Sequence, residues 1–500
     1  MFLPTPREDL KLNTAEFERF PQIKSTGFRE YDARWLFPEE INLMGLQAVG
    51  LGLTTLFNRR QVSKRFIVGH DYRSYSTSVK QALICGLLAG GGEVYDIGLA
   101  LSPMAYFAQF ALNVEGVAMV TASHNDNGWT GIKMGMDRPM TFSFDEMKEL
   151  RSIVLNNESE PASGGSYVYV HNMADRYIES LTDRPKLSRK LKVVVACGNG
   201  TAGAFAPQVL EAVGCEVIPL DVKLDHTFPA HNPNPENLQM LHAIGCYVRL
   251  NKADLGIGFD GDGDRCGVVD NEGNEIFADK IGVMLARDIS KSYVNAQFVA
   301  DVKSTSLFMT DPILQANGAK TTYWKTGHSY IKRYSHETKS LVGFEKSGHF
   351  FFNPPLGRGY DDGIVAALAV CDMLDAHPKK TIADLFRKLP KTWQSPTMSA
   401  FCSDEEKYSI VDSILLHYEK AFENNYEIEG QKIKELITVN GVRVVLDDGT
   451  WGLVRASSNN PELVVVVESP TSEKMMRSIF SDIHLHLRCY PVVGVFNQTI

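Results

Sequence analysis

The 500-residue sequence lacks the composition biases of disordered, collagenous and low-complexity chains, because 44% of its residues are hydrophobic and 22% are charged. It also lacks a large excess of charge of one sign. The 51 lysines and arginines stand against 60 aspartates and glutamates, a formal net charge of -9. This mild acidic excess gives no reason to expect nucleic acid or an anionic membrane as a partner. An anionic ligand would have to be bound by a local cluster of cations.

Closely spaced cysteines and long apolar runs are also missing. The eight cysteines lie far apart and none forms a C-x-x-C pair, which is typical of reduced cytosolic thiols rather than of a disulfide framework or a zinc site. The N-terminal stretch MFLPTPREDLKLN has charged residues where a signal peptide would need an apolar core. The uncharged stretch 97–114 is interrupted by Ser102-Pro103 and contains Gln109 and Asn113, so we do not expect it to span a membrane. We predict a cytoplasmic protein.

One pattern occurs three times along the chain. Each copy has a β-branched run, a turn rich in Gly, Ser and Thr, an amphipathic helical stretch and a second β-rich run. The copies cover 65–98, 191–221 and 296–324. This pattern predicts three parallel strand–helix–strand units with right-handed crossovers. Each copy is followed by an apolar strand that leads into a polar, glycine-containing loop, and these segments are 116–134, 253–270 and 340–352.

These loops predict where a ligand binds. Ligands of α/β sheets collect beyond the carboxyl ends of the strands, so three loops in equivalent positions could converge on one cleft. After about residue 388 the pattern changes to a proline-containing linker at 388–396, a helix, short strands and a last helix. We predict an α/β fold with three related α/β domains of mixed sheets around a central cleft and a smaller C-terminal α+β domain. The predicted domains are 1–168, 169–274, 275–388 and 389–500.

The strongest chemical signal is a loop in which Asp260, Asp262 and Asp264 alternate with glycines. Three hard oxygen ligands suit Mg²⁺, which usually keeps other positions for water or phosphate. An EF-hand would need Gly and Glu at its sixth and twelfth positions, where this chain has Arg265 and Asn271. An acidic surface turn is the alternative, but three carboxylates so close together repel one another unless a cation is present.

The other loops give weaker signals, and each one alone is more often an ordinary polar turn. Ser123 could be a nucleophile or a phosphoryl carrier, with His124 or Lys133 moving protons. The loop 345–349 offers a carboxylate, a hydroxyl and an imidazole, which suit the hydroxyl groups of a sugar. The loop 455–459 offers an arginine and hydroxyls that could hold a phosphate.

Three further motifs are interpreted as structural when taken singly. Lys303 and His328 would be surface residues by default. The Asp361-Asp362-Gly363 sequence before an apolar run is best interpreted as the N-cap and first turn of a helix.

Together these loops resemble the α-D-phosphohexomutase family, and within it the bacterial phosphomannomutase/phosphoglucomutase members most closely. The resemblance extends over nearly the whole chain, and its motifs stand in family order. They are FREYDAR at 28–34, TASHN, DGDGDR, E-x-S-G-H and the Arg-Ala-Ser phosphate loop. The resemblance implies four domains around one cleft, a phosphorylated serine, Mg²⁺ and a hexose phosphate substrate. It also implies a hexose 1,6-bisphosphate that acts as intermediate and activator.

The resemblance further implies a role for each motif residue. Ser123 is implied as the phosphoserine, and it is implied as a metal ligand together with Asp260, Asp262 and Asp264. The groups implied around the transferring phosphoryl group are Arg34, His124, Lys133 and Arg265. Those implied for the sugar hydroxyls are Glu345 and Ser347, with His349 close by as a further catalytic candidate. Those implied for the phosphates are Lys303 and His328 on the sugar phosphate, and Arg455, Ser457 and Asn459 on the phosphate that does not react.

The chain departs from the family pattern at three places that leave the sugar open. Asp126 stands where Pro is usual, Asn459-Asn460 stands where a Thr precedes the Pro, and Lys346 stands where dual-specificity members often have Met. Lys346 could add a contact at C2 of the sugar. Mannose and glucose phosphates are the expected substrates, with a phosphoglucosamine mutase or a glucose-only enzyme as the alternatives within the family.

Two other classes remain as alternatives, and so does the identity of the general base. A Mg²⁺-dependent sugar-phosphate phosphatase could use an aspartate of DGDGD as its nucleophile, and a non-catalytic sugar-phosphate sensor could keep the fold. The general base is Lys133, if its pKa is lowered, or a histidine. The sequence indicates no oligomeric state.

Overall fold

The computed structural model describes residues 5, 7, 9–498 and 500. The chain divides into two compact units. The first unit contains the chain up to Asn274 together with Arg358–Pro378, and the second contains Glu275–Gly357 together with Lys379–Ile500.

The first unit begins with a six-stranded mixed sheet in the order β1-β5-β4-β2-β3-β6. Its strands are β1 (Ala33–Leu36), β2 (Arg65–His70), β3 (Glu93–Leu99), β4 (Gly116–Val120), β5 (Trp129–Gly135) and β6 (Ser166–Tyr169). Its helices are α1 (Ala15–Glu18), α2 (Leu43–Arg59), α3 (Ser76–Ala89), α4 (Ser102–Leu112), α5 (Phe144–Leu155) and α6 (Met173–Thr182), with a short 3₁₀ turn at Ser25–Gly27. A Cβ on Gly86 would lie 2.0 Å from the Gln47 carbonyl oxygen, so α2 and α3 can approach this closely only because glycine stands there.

Four strands of the second sheet lie in this unit, in the order β10-β9-β7-β8. They are β7 (Lys192–Ala196), β8 (Glu216–Leu220), β9 (Leu255–Phe259) and β10 (Cys266–Val269). Its helices are the 3₁₀ turn Thr201–Ala204, α7 (Ala206–Ala212), α8 (Leu238–Asn251) and α13 (Gly363–Asp375). Helix α13 belongs to the segment that returns to this unit, and it packs on β10 and α7. Asp362 caps α13 by accepting hydrogen bonds from the backbone N–H groups of Ile364 and Val365, as the sequence predicted.

The second unit contains a four-stranded sheet in the order β13-β12-β14-β15. The strands of this part are β11 (Glu275–Ile276), β12 (Gln297–Asp301), β13 (Lys320–Trp324), β14 (Val342–Phe344) and β15 (Phe350–Phe352). Its helices are α9 (Ala278–Ser292), α10 (Leu307–Thr310), α11 (Pro312–Ala316), α12 (His328–Glu337) and α14 (Ile382–Phe386).

The same unit ends with an antiparallel seven-stranded sheet in the order β16-β22-β21-β20-β19-β18, in which β17 also pairs with β22. The strands are β16 (Trp393–Gln394), β17 (Met398–Phe401), β18 (Glu427–Ile428), β19 (Gln431–Ile437), β20 (Val442–Leu446), β21 (Trp451–Ala456) and β22 (Glu462–Ser469). Helices α15 (Lys407–Glu423) and α16 (Glu473–Leu487) pack on it. The predicted linker 388–396 is therefore partly strand, because Trp393–Gln394 pairs with β22.

The threefold repeat is confirmed, and so is the fold class of three mixed α/β sheets followed by a C-terminal domain. In each repeat the first strand lies parallel to both the second and the third strand. The third strand then forms an antiparallel hairpin with the fourth. The hairpin loops after β4, β9 and β14 are the serine loop (121–128), the metal loop (260–265) and the sugar loop (345–349). The predicted domain boundaries stay a prediction.

The uncharged stretch 97–114 contains the buried helix α4 and no membrane span. Among the described residues, no helix is both long and apolar enough to cross a bilayer. The eight cysteines are free thiols, as predicted.

Candidate active site

The serine loop is held by two residues that directly follow β2. The carboxylate of Asp71 accepts hydrogen bonds from Thr121 Oγ1 (3.0 Å) and from the Ala122 N–H (3.1 Å). The guanidinium of Arg73 donates to the carbonyl oxygens of Ser123 (3.1 Å) and Asn125 (2.7 Å). These bonds hold Ser123 at a φ of +51°, a left-handed conformation that is uncommon for a residue other than glycine. The loop is thus fixed in place.

The Ser123 hydroxyl lies between the metal loop and an imidazole. Its Oγ donates to Asp260 Oδ2 at 3.0 Å and lies 3.2 Å from His124 Nδ1. A Cβ on Gly261 would lie 2.4 Å from the Ser123 carbonyl oxygen, so glycine is required for the two loops to touch. The structure therefore brings together the serine and the aspartate loop that the sequence singled out.

The metal loop gathers three buried carboxylates. Asp260, Asp262 and Asp264 each offer an oxygen that lies within 4.8 Å of the others. Asp262 Oδ2 accepts from Ser102 Oγ at 2.6 Å, whereas its buried Oδ1 accepts no hydrogen bond from any described residue. Burial and the charges of Asp264 and Asp262 raise the pKa of Asp260 well above its usual range. A divalent cation would favour the ionised carboxylates and give Asp262 Oδ1 a partner, so these residues fit a Mg²⁺ site.

Lys133 on β5 supplies a positive charge beside the carboxylates. Its Nζ donates to Asp262 Oδ2 (2.7 Å) and to Asp264 Oδ2. Burial alone would lower the pKa of Lys133, but the charges of Asp262 and Asp264 outweigh it and raise that pKa well above its usual range. Lys133 as general base stays a prediction.

Two arginines add positive charge beside the metal loop and the serine loop. Arg265 Nε lies 3.6 Å from Asp260 Oδ2, and its Nη1 lies 3.5 Å from Glu236. Arg34 on β1 forms an ion pair with Asp32 at 2.9 Å and donates to Asn125 Oδ1 in the serine loop. Both arginines are buried, so their charges are weakly screened. The first unit thus assembles all of its predicted catalytic and metal residues.

The sugar loop lies in the second unit, and hydrogen bonds order its polar groups. Ser347 Oγ donates to Glu345 Oε2 at 2.9 Å, and Gly327 N donates to Glu345 Oε1 at 3.2 Å. Burial raises the pKa of Glu345 above its usual value. The charge of His349 lowers that pKa, but by a smaller amount. His349 lies 6.0 Å from His328 between ring centroids, so the two predicted histidines are neighbours.

The Lys346 side chain contacts an aromatic ring and a carboxylate that lie outside its own loop. Its Nζ lies 4.1 Å from the centroid of the Phe277 ring and 3.9 Å from Asp279 Oδ1. These contacts combine a cation–π interaction with an ion pair and bury the side chain. The Lys346 ammonium group is therefore held between Phe277 and Asp279.

The phosphate loop follows β21 in the second unit. Arg455 is buried, donating from Nε to Asn440 Oδ1 (2.8 Å) and from Nη2 to Ser458 Oγ (3.1 Å). The Ser457 hydroxyl accepts from the N–H of Asn459 at 3.4 Å, which makes a tight turn. Arg455 is thus bonded to the turn that contains Ser457 and Asn459, through Ser458.

Sequence reasoning missed several residues that hold these loops. Asp71 and Arg73 lie in the H-D-x-R sequence that ends β2, and this position beyond a parallel strand was a usable signal. Ser102 could not be found, because its contact with Asp262 joins residues 160 positions apart. The other missed residue is Asp301, at the carboxyl end of β12.

Comparison with known proteins follows the same domain order. Four family models match, described as phosphoglucomutase/phosphomannomutase alpha/beta/alpha domain I (residues 25–161), domain II (175–273), domain III (277–393) and C-terminal domain (406–484). A phosphomannomutase/phosphoglucomutase of Pseudomonas syringae pv. tomato is 36% identical over 91% of this chain and 94% of its own length.

Two further proteins extend the comparison. A phosphoglucomutase of Neisseria meningitidis serogroup A is 30% identical over 90% of this chain and 94% of its own length. The crystal structure of a phosphoglucomutase/phosphomannomutase family protein from Burkholderia thailandensis superposes with a TM-score of 0.81 and 29% identity, covering 95% of this chain and 100% of that one. All four domain models match in order, and the loops within them carry the expected side chains. The chain therefore belongs to the phosphoglucomutase/phosphomannomutase family.

Proposed function

We propose that this protein interconverts hexose 1-phosphate and hexose 6-phosphate through a phosphoserine at Ser123 and a hexose 1,6-bisphosphate. The observation that carries the proposal is the placement of the Ser123 hydroxyl, 3.0 Å from the first of three buried aspartates and beside buried cations. Phosphoryl transfer needs positioning and charge stabilisation more than covalent assistance, and this set of groups supplies both.

The first transfer moves the phosphoryl group from phospho-Ser123 to the free hydroxyl of the substrate. The bond between phosphorus and the serine oxygen breaks, a bond from phosphorus to the sugar oxygen forms, and the sugar hydroxyl loses its proton. The second transfer returns the other phosphate of the bisphosphate to Ser123. A general base, Lys133 or a histidine, takes the proton of the sugar hydroxyl and returns it in the second transfer. His124 Nδ1 lies 3.2 Å from Ser123 Oγ, so we assign His124 to protonate the released serine oxygen and to take that proton back in the second transfer.

The buried cations stabilise the charge that develops on the transferring group. Arg34, Lys133 and Arg265 are fixed by ion pairs before substrate binds, so no reorganisation is needed during the transfer. Ser123 and the three aspartates would hold Mg²⁺, which would neutralise charge on the phosphoryl oxygens. We propose these residues, with Mg²⁺ and the bisphosphate activator, as the catalytic machinery.

The second unit carries the groups that recognise the substrate. Glu345 and Ser347 are assigned to the sugar hydroxyls, with His349 beside them. Lys303 and His328 are assigned to the sugar phosphate, and Arg455, Ser457 and Asn459 to the phosphate that does not react. We propose hexose phosphates as the small-molecule partners and the cytoplasm as the compartment.

Both glucose 1-phosphate and mannose 1-phosphate are expected to be substrates. The two sugars differ only at the 2-hydroxyl, whereas Glu345 and Ser347 are assigned to the 3- and 4-hydroxyls. Lys346, the residue that could have added a C2 contact, lies against Phe277. A coupled assay with Mg²⁺ and the matching 1,6-bisphosphate should give kcat/KM values within about 10³-fold of each other, or about 4 kcal/mol.

The same assay separates the alternatives. A larger preference for either sugar would contradict a loop that ignores C2, and faster turnover of glucosamine phosphate would indicate a phosphoglucosamine mutase. Stoichiometric release of inorganic phosphate would indicate a phosphatase. Binding without turnover would indicate a sensor.

Replacing Arg455 by alanine should weaken substrate use without disturbing the first unit. The loss of one charged, bidentate phosphate contact should lower kcat/KM by about 10–150-fold, or about 1.5–3 kcal/mol. Steady-state kinetics should show this loss for both sugars, and trapping should detect more bisphosphate released before the second transfer. Arg477→Ala, which removes an exposed arginine of α16 in the same unit, is the matched control. Unchanged kinetics in Arg455→Ala would show that Arg455 does not hold a phosphate.

A further inference from the structure

Asp301 is a fully buried carboxylate at the carboxyl end of β12, and no motif of the sequence drew attention to it. Its Oδ1 accepts hydrogen bonds from Ser304 Oγ and from the Lys346 N–H (3.2 Å). Its Oδ2 accepts from Thr326 Oγ1 at 2.9 Å. One side chain therefore joins the loop that follows its own strand to two segments 25 and 45 positions further along the chain.

The three donors lie beside the residues assigned to the substrate. Ser304 follows Lys303, and Thr326 lies two residues before His328. Lys346 lies between Glu345 and Ser347, and its bond to Asp301 uses only its backbone. Lys303, His328, Glu345 and Ser347 are thus each within two positions of a group that Asp301 holds.

The network continues from the Thr326 loop to the phosphate loop. Asn440 Oδ1 accepts both from the Thr326 N–H (3.3 Å) and from Arg455 Nε (2.8 Å). The guanidinium of Arg443 donates to the carbonyl oxygens of Val302 (2.9 Å) and Ser304 (2.8 Å), on either side of Lys303. The loop that carries Lys303 is therefore fixed both by Asp301 and by the C-terminal sheet.

The chemistry of Asp301 argues against direct contact with the substrate. A carboxylate would repel a phosphate, and its two oxygens already accept from three donors. Burying a carboxylate is costly unless hydrogen bonds satisfy it, and here those bonds come from the three loops themselves. The Asp301 carboxylate is therefore a hub, a single acceptor group that joins three loops.

We propose that Asp301 is a positioning residue that sets the three substrate loops of this domain in the arrangement that binds a phosphorylated hexose. The proposal rests on the proposed function for the identity of the ligand, but the coupling of the three loops can be measured without any ligand. Its substitution should loosen all three loops together, whereas loss of a single donor should loosen one.

Hydrogen exchange of the intact protein without ligand is the first measurement. Asp301→Asn keeps the shape but removes the charge and one acceptor oxygen, and it should speed exchange in peptides covering 303–306, 326–329 and 345–349 by at least about 10-fold, an opening about 1.4 kcal/mol easier. Thr326→Val and Ser304→Ala should each speed exchange mainly in their own loop. Asp412→Asn, an exposed aspartate of α15, is the control and should leave all three unchanged.

Kinetics with glucose 1-phosphate are the second measurement. Asp301→Asn should raise KM by at least about 10-fold and lower kcat by less than about threefold, since the loops bind the sugar phosphate while the transferring groups lie in the other unit. A purely structural role would lower the amount of folded enzyme and leave the KM of the folded fraction unchanged, and that result would overturn the proposal.

The exchange data decide the proposal even where kinetics fail. If the wild-type protein turns over no hexose phosphate, the proposed function is wrong, yet synchronous loosening of the three loops would still support Asp301 as their hub. Faster exchange confined to one loop would overturn it. If Asp301→Asn does not fold, the two single-donor variants give the test. Each should speed exchange in its own loop and raise KM, and unchanged exchange in the altered loop or an unchanged KM would overturn the proposal.

Discussion

Alanine at position 123 is expected to lower kcat by at least about 10³-fold, or about 4 kcal/mol, because the hydroxyl that carries the phosphoryl group is removed. The substitution should spare the fold, since the backbone of Ser123 supplies the bonds to Thr121 and Arg73. The left-handed φ of +51° is as accessible to alanine as to serine. The loss should therefore be chemical rather than structural.

Two measurements check this expectation. Phosphopeptide mapping after treatment with hexose 1,6-bisphosphate should find one phosphoryl group on Ser123 in the wild-type protein and none in Ser123→Ala. Ser152→Ala, which removes an exposed serine of α5 in the same unit, should retain both the label and the activity. Full activity in Ser123→Ala would rule out the phosphoserine, whatever the label showed.

Asparagine at position 262 is expected to raise the Mg²⁺ concentration needed for half-maximal activity by at least about 10-fold, or about 1.4 kcal/mol. Asparagine has the same shape as aspartate, but it replaces one ligand oxygen by nitrogen and removes a charge beside Lys133. The buried Oδ1 that accepts no bond from the described residues is the atom with most to gain from a cation. Chelator should abolish activity in the wild-type protein, and Mg²⁺ should restore it.

Titration of activity against free Mg²⁺, with calorimetry of Mg²⁺ binding, measures this shift. Asp183→Asn removes an exposed aspartate at the end of α6 and is the matched control. An unchanged Mg²⁺ dependence in Asp262→Asn, or activity that survives chelation in the wild-type protein, would refute the metal site.

The sequence was sufficient to predict those parts of the site whose functional side chains lie close together along the chain. The repeat of β-branched runs, helices and glycine-containing loops was sufficient to place the serine, metal and sugar loops at the ends of equivalent strands. The alternation of Asp260, Asp262 and Asp264 with glycines predicted the metal loop. Residues this close in the sequence are held close in space by the loop itself, so a local pattern was sufficient.

The residues that hold those loops could not be predicted in this way. Ser102 bonds to Asp262, 160 positions away, and Asp301 accepts from the Lys346 N–H, 45 positions away; nothing near either residue in the sequence indicates those partners. The position of Asp71 just beyond a parallel strand marked it as a candidate, but not its bonds to Thr121 and Ala122. The contact of Lys346 with Phe277 could not be predicted either, because the two residues are 69 positions apart in the sequence. Direction of a flexible side chain is decided by tertiary packing.

The return of residues 358–378 to the first unit has a consequence for how this polypeptide is made. Helix α13 covers β10 and α7 with buried side chains such as Ile364, Val370 and Cys371, yet it leaves the ribosome more than 80 residues after Asn274. A nascent chain that ends before α13 exposes that apolar surface, so the metal loop side of the first unit stays incomplete until most of the protein has been synthesised. No single cut can divide the chain into two complete units, and any fragment designed to carry the metal loop alone must bring the segment 358–378 with it.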